Sequence, residues 1–524
     1  MPSTRAAHVS GVAPRGGTMF GKRRSRSGKR DHRVLLQAES TCWRVERADR
    51  AALLIDMADY FVAAKAAMLK ARSTVHLLNW AFDPDTRLDP EPSGGGPRDD
   101  RIGPFLKTLA RARPELDIRV LCWRSALPIA ATQRFFPHRA KACFAGSPVR
   151  FLLDASVPSG ACHHQKMIII DDRLAFCGGG DIGPDRWDTA EHLDHDPRRT
   201  KTTTDRTCFP SRHEVMCVVD GPVAGALGDL FRERWRRATG EAAPRAAQAA
   251  VDAWPAGVEP QLRNISAGVS RTEPAWRSRP EVRESERLHL AAIASARRCI
   301  YLENQYFTSP LVARALAARL SEPAGPEVIL ISTEHSPSWF DQMTMDRTRS
   351  MLLRRLTAAN LHDRLHAYVP VTEEGRIIIV HAKLSIIDDT LLRIGSANLN
   401  NRSGGFDTEC DLSLEARPED SSSRETIAGL RTSLLAHWLG CPPRAVASAT
   451  TAAGGGVGAG VERLRQAGYN RLSPLAPTAI GPIATFIASY HIGDPTGTAD
   501  SWRPWKRKRA LAARLARISA DETA

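Results

Sequence analysis

The sequence predicts an α/β protein made by internal duplication of one unit, and three observations carry that reading. The spacing His-x-Lys-x4-Asp occurs twice, at His164, Lys166 and Asp171 and again at His381, Lys383 and Asp388. Matching segments follow each copy at the same offset: Cys177-Gly178-Gly179-Gly180-Asp181 after the first and Ile394-Gly395-Ser396-Ala397-Asn398 after the second. Apolar, strand-like runs precede each copy in the same order, separated by helical stretches, as a repeated βα unit requires. One such spacing is a weak signal; two with the same continuation are a strong one.

Taken in order, residues 1–36 are rich in Ser, Gly, Arg and Lys and read as a disordered tail. Its cluster Lys22–Arg30 is read as solvated, with a lipid or nucleic-acid contact as the alternative. Ordered structure is expected from Ala51–Leu54, with a helix through Ala64–Leu69. Val75–Phe82 is a strand ended by Asp83-Pro84, and its counterpart is Ile300–Phe307. Ile118–Trp123 answers to Val328–Ser332. The His-x-Lys segments form the third pair. Each runs into β-branched and apolar residues, the mark of a buried strand, on which positions i and i+2 share a face. His164 and Lys166 therefore project together, as do His381 and Lys383. A strand Val215–Val219 and a helix from about Gly221 close the first copy after Trp235. Residues 240–280 are expected to form a loop or crossover, and the second copy runs to about Leu439. Gly454–Gly456 reads as a linker or loop. The C-terminal segment carries Trp502–Arg509, then Leu511, Leu515 and Ile518, a basic amphipathic helix with aromatic residues at its start. Membrane-surface contact and packing on its own domain both fit that pattern.

With 524 residues, 42% of them hydrophobic and 25% charged, the chain has room for two domains with substantial cores. A net charge of +15 points to anionic partners: phosphate headgroups, membrane surfaces or nucleic acid. Ten cysteines without a CxxC pair indicate neither a zinc site nor a redox motif. Cys122, Cys177 and Cys217 lie in apolar runs and read as buried reduced thiols, which favours a reducing compartment. No apolar run long enough for a membrane-spanning helix occurs, and no apolar region follows the N-terminal basic cluster. The expected location is cytoplasmic or peripheral to a membrane, with export lacking a recognisable signal left open.

These residues resemble the phospholipase D superfamily, whose hallmark is the duplicated His-x-Lys-x4-Asp motif. The match covers most of residues 40–440. His163–Lys166, Gly178–Ile182, Arg186–Thr189 and Tyr301–Phe307 resemble the eukaryotic-type phospholipases D in particular. Asp181 departs from the Gly-Ser-x-Asn form of the second copy, and the eukaryotic-type first motif carries the same Asp. The resemblance implies two tandem phospholipase D-like α/β/α sandwich domains, 37–262 and 263–445, with the active site at their interface. Residues 446–524 remain as a Gly-rich linker and basic amphipathic tail. By the same resemblance His164 is the nucleophile, forming a phosphohistidine, and His381 the general acid/base. Lys166 and Lys383 neutralise the non-bridging oxygens, and Asn398 and Ser396 donate hydrogen bonds to them. Glu409 orients the second histidine and Glu214 the first. Asp171 and Asp388 belong to the catalytic motif, but their position on the strand turns them from the site and assigns them to holding a turn. No metal or cofactor is required, because lysines supply the positive charge.

The implied activity is hydrolysis or transphosphatidylation of glycerophospholipids, with a phospholipid headgroup or anionic membrane surface as partner. One chain holds both motifs, so a monomer is expected. Alternatives are a cardiolipin synthase-like phosphatidyltransferase and a phosphodiesterase acting on nucleic acid, which the charge permits. The superfamily's small nucleases carry one motif per chain, its DNA-repair members lack the motif aspartates, and its cardiolipin synthases usually begin with membrane-spanning helices. A silent membrane-binding scaffold is disfavoured by the intact pairs His164/Lys166 and His381/Lys383. His192, Asp194 and His195 lie in a polar segment and read as a solvated loop rather than metal ligands.

Overall fold

The computed structural model describes residues 34–90, 100–125, 136–200, 207–247, 252–478 and 481–521. The tail expected at residues 1–36, with its basic cluster, lies outside the described residues up to residue 33. Among the described residues eighteen strands form in chain order. The first eight are β1 (Arg44–Ile55), β2 (Thr74–Asn79), β3 (Asp117–Trp123), β4 (Arg150–Asp154), β5 (Met167–Ile170), β6 (Leu174–Gly178), β7 (Arg212–His213) and β8 (Val215–Asp220). The others are β9 (Leu262–Glu273), β10 (Val282–Arg283), β11 (Cys299–Asn304), β12 (Glu327–Ile331), β13 (Leu365–Pro370), β14 (Ile379–Val380), β15 (Lys383–Ile387), β16 (Leu391–Gly395), β17 (Glu409–Glu415) and β18 (Leu472–Pro474).

All but β7 and β14 join one 16-stranded sheet. Outward from its centre one side runs β1-β8-β6-β5-β2-β3-β4, and the other runs β9-β17-β16-β15-β11-β12-β13, with β18 added at that edge. The two sides repeat each other strand for strand, joined where β1 pairs antiparallel with β9. The fold is therefore mixed α/β around one large sheet. Strand alternation divides the core into layers. In β5, Met167 and Ile169 face one layer with Phe231 and Trp235 of helix Pro222–Thr239, and Ile168 and Ile170 face the other with Tyr60 and Phe61 of helix Met57–Lys70. In the second half, Leu384 and Ile386 share the first layer with Leu434 and Trp438 of helix Ser421–Leu439. Ile387 turns to the opposite face, where Leu316 and Leu352 wait.

The central strands depart from the sequence reading. Order begins well before Ala51, in β1, and the crossover expected over residues 240–280 contains the 12-residue β9. Both were hidden by composition. β1 carries five charged residues in seven, Arg44-Val45-Glu46-Arg47-Ala48-Asp49-Arg50, and its arginines are held in ion pairs. Arg44 meets Asp229 at 2.7 Å and Arg50 meets Asp220 at 2.5 Å, while Ala48 between them is fully buried.

Gly454–Gly456 form a tight turn between helices Pro443–Ala452 and Val457–Gln466, with positive φ at Gly454 (68°) and Gly455 (93°) where other residues would be strained. Beyond it β18 pairs with β13, so this part of the C-terminal segment packs against the sheet. Helix Pro504–Asp521 forms over the basic segment. Among the described residues no helix is long and apolar enough to cross a membrane.

Candidate active site

Each His-x-Lys pair stands at the point where the chain enters its central strand. Lys166 lies one residue before β5, and Lys383 opens β15. The segments just upstream do not pair within their own half. In one, β14 runs parallel to β7, placing Val380 beside His213, and the His381 N–H donates to the His213 carbonyl at 2.8 Å. In the other, His163 bridges to Thr408, and the His164 N–H donates to the Thr408 carbonyl at 2.9 Å. His213 and Thr408 immediately precede Glu214 and Glu409. This exchange brings each glutamate to the histidine of the opposite half.

The carboxylates are thus crossed relative to the expected assignment. Glu409 receives His164 Nδ1 at 2.9 Å, and Glu214 receives His381 Nδ1 at 2.8 Å. Sequence order alone suggests that each glutamate serves its own half; the parallel β7/β14 contact reverses that. With Nδ1 engaged by a carboxylate, each imidazole turns Nε2 the other way. Burial, reinforced by Lys166 and Lys383, holds both His164 and His381 well below the usual imidazole range.

The lysines are buried in the same place. Lys166 Nζ donates to the His164 carbonyl at 2.6 Å and lies 3.4 Å from Asp181. Lys383 Nζ donates to the His381 carbonyl and reaches Gln305 Oε1 at 3.5 Å. Burial pushes the Lys383 ammonium down to about 7, against the opposing pull of Glu214. The halves approach closely: a Cβ on Gly179 would sit 3.2 Å from both the His381 carbonyl and Lys383 Cδ. That is why a Gly stands where the strands of the two copies converge.

Of the remaining expected residues, Asp181 accepts the Trp80 and Ala81 amides at 2.9 and 3.1 Å, fixing the chain after β2. Asn398 is buried, and its Oδ1 has no hydrogen-bond partner among the described residues. Ser396 does not face the open Nε2 side. Its hydroxyl donates to Glu409 at 2.5 Å and accepts the Cys410 amide at 3.0 Å, so it supports the carboxylate rather than a substrate oxygen. Ser403 donates to the same carboxylate at 2.6 Å. Asp171 and Asp388 stand at the far ends of β5 and β15, in positive-φ turns at 52° and 54°. Asp171 accepts the Arg72, Ser73 and Thr74 amides, and Asp388 those of Arg297, Arg298 and Cys299, all at 2.7–2.9 Å. The motif aspartates therefore tie each central strand to the start of its neighbour. Placing them with the catalytic groups is corrected by this geometry; the turn-holding role describes them.

Three contributors escaped the sequence reading. Arg186 donates to Glu214 at 3.2 Å, and Gln305 meets Lys383; both lie in segments singled out for their resemblance. Trp80 sets its edge toward the His164 ring at 6.4 Å and stacks on Trp123, a pairing no local signal announces. His192 is a further correction. It is not in a solvated loop but fully buried, bonded to Asp188 at 2.9 Å, and grouped with Asp56, His213 and His437. His195 is exposed, as expected of a loop.

Residues 289–430 match the family described as cardiolipin synthase, PLD-like domain. Phospholipase D A of Dictyostelium discoideum is 25% identical, covering 72% of this chain and 34% of the relative. Phospholipase D alpha 4 of Arabidopsis thaliana is 23% identical over 70% of this chain and 62% of its own length. Over most of its length the chain is similar to members of the phospholipase D superfamily. Within the superfamily, cardiolipin synthase B of Salmonella typhi is 24% identical, covering 51% of this chain and 55% of the relative. The chain thus spans between a third and under two thirds of these relatives' lengths. Its fold is shared with a phosphatidylserine synthase of Haemophilus influenzae Rd KW20, at 12% identity and a TM-score of 0.52, covering 92% of this chain and 96% of that one.

Proposed function

We propose that this protein is a phospholipase D-type phosphodiesterase that cleaves glycerophospholipids through a phosphohistidine and passes the phosphatidyl group to water or an alcohol. The observation that carries the reading is the crossed pair of imidazoles, each with Nδ1 fixed by a buried carboxylate and Nε2 left free, with the lysine two residues on from each buried beside it. In the first half-reaction His164 Nε2 attacks phosphorus, the bond to the headgroup oxygen breaks, and protonated His381 gives that oxygen its proton. An anionic phosphodiester entering the site supplies the charge that lets His381 hold a proton despite burial. In the second, His381 takes a proton from water or an alcohol, whose oxygen attacks phosphorus as the P–N bond breaks and His164 returns neutral. Lys166 and Lys383, with the amide of Asn398, offset charge growing on the non-bridging oxygens.

The match of residues 289–430 to a cardiolipin synthase domain favours one second reading, in which the acceptor is the alcohol of another lipid. A lipid surface is the partner proposed for either reaction. Trp339, Phe340, Ile483, Phe486, Trp502 and Trp505 are large apolar side chains left 52–78% exposed. Phe340 packs on Gly493, whose carbonyl accepts from Arg402; Trp502 packs on Gly160, two residues before Cys162 leads into His163-His164. Lys506 and Lys508 follow the last two tryptophans, matching the signs of an anionic bilayer.

The test is incubation with mixed phosphatidylcholine and phosphatidylethanolamine vesicles and a primary alcohol, beside His164→Ala and His381→Ala. Phosphatidyl-alcohol from the parent and none from either variant is expected. Cleavage of DNA or RNA with no lipid product would replace this reading with the nuclease one.

A further inference from the structure

Behind the His381 side of the site lies a second group of titratable side chains that the reaction does not use. Asp56, His192, His213 and His437 each offer one ligand atom, and these four atoms lie within 4.8 Å of one another. They come from distant parts of the chain: the residue before helix Met57–Lys70, the segment after Asp188, β7, and the end of helix Ser421–Leu439. His192 Nε2 is 3.3 Å from His437 Nε2 and 3.5 Å from Asp56 Oδ2, and His437 Nε2 is 3.9 Å from the same oxygen. Zinc bonds of about 2.0–2.1 Å in a tetrahedron separate neighbouring ligand atoms by about 3.3–3.4 Å, which the two shortest spacings approach and to which the longer ones would contract around an ion.

We propose that Asp56, His192, His213 and His437 bind a structural zinc ion that fastens the two halves together behind His381. Three independent features point inward. Asp56 is 1% exposed, yet its Oδ2 has no hydrogen-bond partner among the described residues, while its Oδ1 lies 3.0 Å from His213 Nδ1. Two imidazoles meet Nε2 to Nε2, an approach a shared cation explains directly. The outer nitrogens are already held by carboxylates: His192 Nδ1 by Asp188 at 2.9 Å, and His213 Nε2 by Glu303 at 3.0 Å. Those carboxylates are fixed in turn, Asp188 by the Arg212 amide and Glu303 by Tyr301 and the Trp438 indole. A carboxylate thus stands behind two of the three imidazoles, the arrangement that sets tautomer and ring orientation at zinc centres.

The backbone supports the same reading. Asp56 sits at φ 68°, ψ 158°, a region nearly reserved for Gly, and such strain persists only where the surroundings fix it. Its amide donates to the Glu214 carbonyl at 2.8 Å, and its Oδ1 accepts the Glu214 amide at 3.2 Å. The ion would therefore brace the residue that orients His381. Three imidazoles and a carboxylate, buried except for the half-buried His437, fill all four positions of a tetrahedral ion, so the role is structural. The rival state is a metal-free cluster in which His213 carries a proton between Asp56 and Glu303 and His437 donates to His192.

The experiment uses the full chain, without an affinity tag of histidines, folded in zinc-containing medium and dialysed. One zinc ion per chain by elemental analysis is expected, together with the visible bands of tetrahedral cobalt after exchange and a lower Tm on stripping with a strong chelator. His437→Gln and His192→Gln should abolish retention, while His195→Ala, exposed nearby, should not. Zinc content far below one per chain, with a Tm indifferent to zinc and chelator, would establish the metal-free cluster and overturn the proposal. Should the glutamine variants fail to fold, the zinc content and cobalt spectrum of the parent protein decide the matter alone.

Discussion

Each motif histidine is held through Nδ1 by a carboxylate from the other half of the molecule. His164 depends on Glu409 and His381 on Glu214. Glu409→Gln should therefore slow formation of the phosphohistidine on His164, and Glu214→Gln should fall hardest on substrates with poor leaving groups, where proton donation by His381 matters most. Each loss should be about a hundredfold or more, the usual range for a general acid–base contribution. Rapid-quench trapping of the intermediate distinguishes them; equal effects of both variants on trapping would contradict the crossed assignment.

The same environment fixes the pH profile of kcat/KM. A nucleophilic imidazole works when neutral, and the His164 range is lowered, so the acid limb lies below 6.5, the ordinary histidine value, with activity lost as pH falls through it. Lys383 works as a cation and is depressed to about 7, so activity falls as pH rises through that region. Lys383→Arg keeps a charge that does not titrate and should move the alkaline limb upward even while lowering the rate. An unmoved alkaline limb in that variant would assign the titration to another group.

At the scale of the element, the motif aspartates are structural ties. Each closes its central strand by accepting three backbone amides from the segment that begins the neighbouring strand. Replacing either by Ala strands three donors and should cost about 2–4 kcal/mol of stability. Denaturant midpoints measure that loss, while kcat per folded molecule should change less than in His164→Ala. A variant as stable as the parent but inactive would return these residues to the chemistry. The aspartates also show what a sequence pattern conveys at this scale. Their offset from Lys on an alternating strand already turns them away from the site, whereas only coordinates reveal the amides they hold.

Across the whole molecule, one sheet runs continuously through both halves, and the site forms where β7 and β14 exchange between them. Of the exposed aromatic side chains, Trp502 lies against Gly160, close in sequence to His163-His164, and Phe340 lies against Gly493. Trp502→Ala combined with Trp505→Ala should weaken binding to anionic vesicles several-fold in a flotation assay and leave turnover of a short-chain soluble substrate nearly unchanged. Equal losses on both substrates would place the tryptophans in the fold of the site instead of at a lipid surface.

The sequence by itself determined the α/β class, the strands at the motifs and the identity of the four central cations and imidazoles. These follow from local pattern: β-branched runs make buried strands, and the repeated spacing names its own residues. It did not reach β1, whose charged residues disguise a half-buried strand, nor β9, which lies in a stretch expected to be a crossover. Tertiary structure alone decided which glutamate serves which histidine, moved Ser396 behind the carboxylate, and buried His192 among Asp56, His213 and His437. Those outcomes depend on contacts between residues far apart in the chain, Glu409 with His164 and His192 with His437, each separated by 245 positions. No local periodicity encodes such a pairing, because it is fixed by how two complete halves meet.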